Sequence, residues 1–289
     1  MPAEDYARLL VTQPLPVEGP GMATYLNKDL VPEADCVVKV GWIKAAMSRP
    51  LVEEHTHDQD EILIIYGGDH EHPQTLGGEV EMTIGGQRSV LNTTTGMYLP
   101  RGVPHGPMQW TKVDRPQVLV SIMLPPQDSV RRPGDGPFEY QQYIIRSPMR
   151  EAGAEMTAGR TAPTMTYMSG VQIPGVKTYI EFGWTFGQPV SNRTRNAMPS
   201  MAHPNYDEVV LHIGGDPENP TDLGGDIEFV VGGEPLRFSN TSALFIPRLV
   251  DHGPIRCLAY RKPHIVMAIM LGAGSVKEGW EGSFKKDPD

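Results

Sequence analysis

With 289 residues, the chain has room for two domains or one unusually large one. A formal net charge of −10 leaves no broad basic field for nucleic acid or an anionic membrane, and no apolar run is long enough to span a bilayer. Only Cys36 and Cys257 are available as thiols, neither in a CxxC, so a disulfide scaffold or thiolate zinc site has no support and a reducing cytoplasm is the expected setting.

Glycine and proline contribute 31 and 28 residues, too many interruptions for a helical protein, so short strands and turns are expected throughout. In chain order, residues 1–23 form an N-terminal extension whose acids and prolines do not match the basic-then-apolar pattern of a secretory signal. Residues 24–124 carry short β-rich runs at 62–66, 80–84, 97–99 and 118–124, separated by the turn signals Gly67-Gly68-Asp69 and Gly85-Gly86. A linker, 125–165, is rich in Pro, Arg, Gly and Asp, with one ordered piece at 138–145 and a short helical turn expected at 151–156. Residues 166–271 form a second β-rich half, and 272–289 a tail.

The second half is a copy of the first. A shift of 147 aligns 60–124 with 207–271 without a gap, and 20 of the 48 positions from Asp60 to Pro107 are identical. Chance would supply roughly three. Upstream the offset is 142, placing Gly41-Trp42 on Gly183-Trp184, so the second copy has five extra residues before Asp207-Glu208. The repeat predicts two homologous all-β domains, each a sandwich or barrel.

In the first copy, His55-Thr56-His57 puts two imidazoles at i and i+2, which share a face on a β-strand; Glu61 returns to that face four residues later. His105 ends the segment Pro100-Arg-Gly-Val-Pro-His105, which a barrel folds back across. Three imidazoles and a carboxylate suit a divalent Fe, Mn, Ni, Co or Zn, with Fe or Mn favoured here, and leave two octahedral positions open. The second copy keeps His203, Glu208 and His252 as a possible second metal set, but has Met201 in place of the first histidine and Leu249 in place of a glycine. His212 shares strand parity with Glu208, His264 is expected in the core, and His70 and His72 in a solvated loop.

The pattern His55-x-His57-x3-Glu61-x6-Gly68, followed by Pro100-x-Gly102-x2-His105, resembles the two motifs of the cupin superfamily, and the duplication makes the chain similar to the bicupins. Arg49 stands where that family has a glycine, and Gln109 where it has an asparagine. The resemblance implies an all-β fold of two tandem double-stranded β-helix (jelly-roll) barrels, one of which often loses its site. It also implies a metalloenzyme acting on a small molecule whose hydroxyl, keto or carboxylate oxygens chelate the metal. Dioxygenase chemistry is favoured; a redox-neutral lyase, isomerase or hydrolase, or a non-catalytic ligand-binding bicupin, are the alternatives. Tyr98, Arg101 and Gln109 are the catalytic candidates, with Trp110 bordering the mouth; Asp69 and Asp216 are candidate partners of Arg101 and Arg248. Exposed barrel edges suggest a homodimer.

Overall fold

The computed structural model describes residues 5–17, 21–130, 139–150, 165–187 and 200–283. The helical turn expected at 151–156 lies outside the described residues. A 3-10 turn (Tyr6–Leu9) leads into β1 (Leu10–Val11), β2 (Leu15–Pro16), β3 (Met22–Leu26), β4 (Val37–Ile43), β5 (Asp60–Gly67), β6 (Thr75–Ile84), β7 (Gln87–Thr93), β8 (Thr95–Leu99), β9 (His105–Val113) and β10 (Gln117–Leu124). A second 3-10 turn (Tyr140–Tyr143) and β11 (Ile144–Ile145) precede β12 (Met165–Met168), β13 (Thr178–Thr185), β14 (Asp207–Gly214), β15 (Asp222–Val231), β16 (Glu234–Asn240), β17 (Ser242–Ile246), β18 (His252–Tyr260) and β19 (His264–Leu271). The helix α1 (Val276–Trp280) follows. From β5 and β14 onward, each strand of the second copy begins and ends 147 residues after its counterpart, so the repeat read in the sequence is a repeat of strands.

The described chain forms two compact units, one drawn from 14–148 and 167–176 and the other from 1–13, 149–166 and 177–289. In the first, the sheet β11-β8-β5-β10-β4-β3-β2 is accompanied by the sheet β7-β6-β9; in the second, β1-β17-β14-β19-β13-β12 is accompanied by β16-β15-β18. Every residue of β5 is buried, whereas β7 and β16 alternate buried with exposed or half-buried positions because one face meets water. The core of the first unit is built from Leu63, Ile65, Leu76, Met82, Trp110 and Leu119. No described helix is long and apolar enough to cross a membrane.

Each β6–β7-type hairpin turns on a glycine pair with left-handed backbone: Gly85 and Gly86 at φ 54° and 76°, Gly232 and Gly233 at 58° and 85°. A Cβ on Gly85 would strike the ring of Tyr140, and one on Gly232 the ring of Tyr6. These tips are seats for the two 3-10 turns. The ordered piece expected within the linker thus joins the first unit, with β11 on the edge of β8, while residues 6–11 join the second, with β1 on the edge of β17.

Candidate metal centre

Backbone pairing brings the two histidine motifs together. His55 N–H donates to the His105 carbonyl (2.9 Å), and His105 N–H donates back to His55 (3.0 Å). Gly102, at φ 71°, donates its N–H to the His57 carbonyl at 2.9 Å, a left-handed turn that glycine accepts without strain. The segment carrying His55 and His57 is an isolated bridge, unlike the regular strand its spacing suggests. The rings bond to their own backbone two residues away, and these local bonds compete with a sheet ladder.

That local bonding sets the chemistry. The Nδ1–H groups of His55, His57 and His105 donate to the carbonyls of Glu53 (3.0 Å), Gln59 (2.6 Å) and Val103 (2.9 Å). A carbonyl only accepts, so the proton of each neutral ring sits on Nδ1 and the Nε2 lone pair is left for the centre. The three histidine donor atoms lie within 4.8 Å of one another. Glu61 Oε2, from β5, lies 3.4 Å from His57 Nε2 and 3.6 Å from His105 Nε2, and Ser121 on β10 holds the other carboxylate oxygen with its hydroxyl at 2.6 Å. Burial pushes the Glu61 carboxyl up, but the facing imidazoles of His105 and His57 and the Ser121 hydroxyl outweigh it and hold the group down at about 2. The hydrogen bond to Glu61 raises His57 above 6.5.

The four side chains open onto a cavity of about 500 Å³, walled by Leu51, Val52, Leu63, Met82, Met108 and Leu119, with Lys39, Gln59 and Ser121 as polar residues. Tyr98, Arg101 and Gln109 do not line it. The Tyr98 hydroxyl donates to buried Asp60 (2.6 Å), Arg101 pairs with Asp128 (2.8 Å), and Gln109 donates to the Met47 carbonyl (2.8 Å). Trp110 lies in the core, not at the mouth: it is fully buried and donates to Gln117 (2.7 Å). The arginine pairing also differs from expectation. Asp69 pairs with Arg115 and Asp216 with Lys262, while Arg248 pairs with Asp207, because each acid meets the base at the end of a strand paired with its own: β5 with β10, β14 with β19, and β14 with β17. His70 and His72 are exposed and His264 is in the core.

The second copy keeps this backbone with different side chains. Met201 and His252 exchange the same pair of hydrogen bonds (2.9 and 2.8 Å), so Met201 occupies the register of His55. His203 and His252 place Nε2 at 3.3 and 3.2 Å from Glu208 Oε2, and all three residues are buried. The Ser283 hydroxyl donates to Gly279 and therefore accepts from His203 Nδ1–H (2.9 Å), which again directs Nε2 inward. The part of the tail described here is thus a lid: Trp280 of α1 lines the cavity, which shrinks to about 40 Å³. That space fits an ion or a water, not a substrate. His212, fully buried, packs edge-on against Phe238 and does not line the cavity.

Sequence reasoning overlooked Lys39 and Ser121. The signal was there: each is a lone polar residue in an apolar run, on the same strand face as Glu61.

No family model matches the sequence, and no curated protein matches it. Solved structures do match in fold. AerE from Microcystis aeruginosa superposes with a TM-score of 0.55 at 12% identity, covering 91% of this chain and 99% of that one. An oxalate decarboxylase variant of Bacillus subtilis gives 0.55 at 13%, covering 89% and 74%, and an oxalate decarboxylase of Lactobacillus farciminis in complex with formate gives 0.54 at 13%, covering 89% and 83%. The fold is that of a bicupin. At these identities the likeness concerns fold, and the chemistry of this chain rests on its own residues.

Proposed function

We propose that this bicupin is a metal-dependent enzyme acting on a small oxygenated molecule in its first barrel, with His55, His57, Glu61 and His105 as ligands of a divalent transition metal. The observation that carries the reading is the buried Nε2 of His105, which has no hydrogen-bond partner among the described residues and faces Glu61 across 3.6 Å while its Nδ1 is committed to Val103. Lone pairs and a carboxylate oxygen converging at such distances call for a cation between them. The donor set suits iron or manganese. A bound ion would supply Lewis-acid polarisation and a template for two reactants. The chain itself orients the imidazoles through backbone carbonyls, fixes Glu61 through Ser121, and surrounds the space beside them with an apolar wall.

Dioxygen-dependent oxidation is the favoured reaction. Among the described residues lining the cavity, Lys39 is the one titratable side chain outside the donor set, so little acid–base machinery surrounds the centre. A redox-neutral lyase is the second reading, supported by the fold likeness to oxalate decarboxylases and by Lys39 as a proton donor. A purely ligand-storing role would also fall to the open first barrel, since the second has space for no more than an ion or a water.

Elemental analysis of protein purified without added metal is expected to find iron or manganese, lost in His57→Ala. Equal metal in both proteins overturns the ligand set. Turnover that stops under anaerobic conditions supports the oxidative reading, and turnover that continues replaces it with the lyase.

A further inference from the structure

Strand β4 runs Val37-Val38-Lys39-Val40-Gly41, and Lys39 is its one charged residue. In the sheet register Lys39 stands opposite Ser121 on β10, and Ser121 stands opposite Leu63 on β5, two residues after Glu61. Its side chain therefore points to the face that carries Glu61, and it lines the same cavity as the four donors. Lys39 is half-buried, and among the described residues it has neither an ion-pair nor a hydrogen-bond partner.

Charge balance makes this position informative. With a divalent cation on Glu61 and three neutral imidazoles, the ammonium gives the cavity a net positive charge of two in partly desolvated surroundings. A carboxylate on the guest halves it; a neutral guest leaves two like charges facing the same small space. The second barrel supplies the contrast. Glu181 occupies the matching register, opposite Ala268, and lines the cavity of about 40 Å³ that admits no substrate. At this register position the lysine belongs to the barrel with room for a guest.

We propose that Lys39 is an anion subsite and that the first barrel takes substrates carrying a carboxylate. The carboxylate pairs with the Lys39 ammonium, other substrate oxygens face the donor set, and an apolar body rests on Leu51, Met82 and Met108. The substrate class rests on the metal-enzyme reading above, but the Lys39 pairing can be read apart from it.

The test is calorimetric titration of the full chain, metal-loaded and metal-free, with salicylate and with salicylamide, which has the same ring and hydroxyl but no carboxylate charge. Wild type is expected to prefer salicylate about tenfold or more, the scale of a charge-assisted hydrogen bond. Lys39→Met is expected to remove that preference by weakening salicylate alone, and Lys39→Arg to retain most of it. Thermal melts of both variants check folding, and elemental analysis checks that metal content is unchanged. Equal weakening of both probes, no preference in wild type, or no measurable salicylate binding overturns the proposal. If the site holds no metal but metal-free protein keeps a Lys39-dependent preference, the subsite stands and the metal reading falls.

Discussion

Leu249 has φ 67° and is 69% exposed at the place where the first copy has Gly102. Its N–H still donates to the His203 carbonyl (2.8 Å), so the turn below the second site survives by holding a branched side chain in left-handed backbone. That conformation costs a non-glycine residue about 1 kcal/mol. Leu249→Gly is therefore expected to stabilise the protein by up to about that amount, part of it offset by the greater freedom of glycine in the unfolded chain. Urea unfolding checks this, and a variant less stable than the parent would mean that the Leu249 side chain contributes packing that outweighs the strain.

His57 sets the pH response of the first site. Its hydrogen bond to Glu61 raises it above 6.5, so protons hold the ring to a higher pH than usual and compete with metal there. Metal affinity should climb with pH through the region above 6.5 and level off once the ring is neutral; chelator competition on either side of that value measures it. Glu61 acts in the opposite sense. Its carboxyl lies at about 2 against an ordinary 4.5, so in metal-free protein its stabilising contribution is present above 4.5 and disappears as pH falls toward 2. Glu61→Gln should flatten acid unfolding across that interval, as followed by circular dichroism.

Among the elements, the shortest strands illustrate how little sequence signal an edge requires. β1 has two residues, yet Leu10 and Val11 pair with Leu244 and Ala243 and cover the edge of β17, while Leu9 and Val11 are buried. Burying two such side chains contributes about 3 kcal/mol. Deleting residues 1–11 is expected to lower the melting temperature by roughly 6 °C or more and to promote aggregation through the bared edge. An unchanged melt would show that β1 adds nothing. β11 plays the same part on β8, and the Tyr140 ring at Gly85 matches the Tyr6 ring at Gly232. Residues 1–23 and 125–165 read as an extension and a linker because two-residue strands have no periodicity to detect.

For the whole molecule, duplication was the most legible property, because an offset kept at 147 from Asp60 to Leu271 requires the same strands in the same order. His55, His57, Glu61 and His105 stood out in the sequence as two motifs, but strand parity is not what gathers them: 55–57 is no regular strand, and the backbone bridge between His55 and His105 brings the motifs together. The destinations of Tyr98, Arg101 and Gln109 were not legible, since each turns on a partner far away in the chain, Asp60 for the tyrosine and Asp128 and Met47 for the others. Nor was the difference between the barrels, about 500 Å³ against about 40 Å³. The sequence by itself determined the architecture and the donor types, which follow from periodicity and residue chemistry. Only the tertiary structure decided which barrel can admit a guest and which polar groups meet it, because a cavity is the space left by packing, and packing joins residues that no local pattern connects.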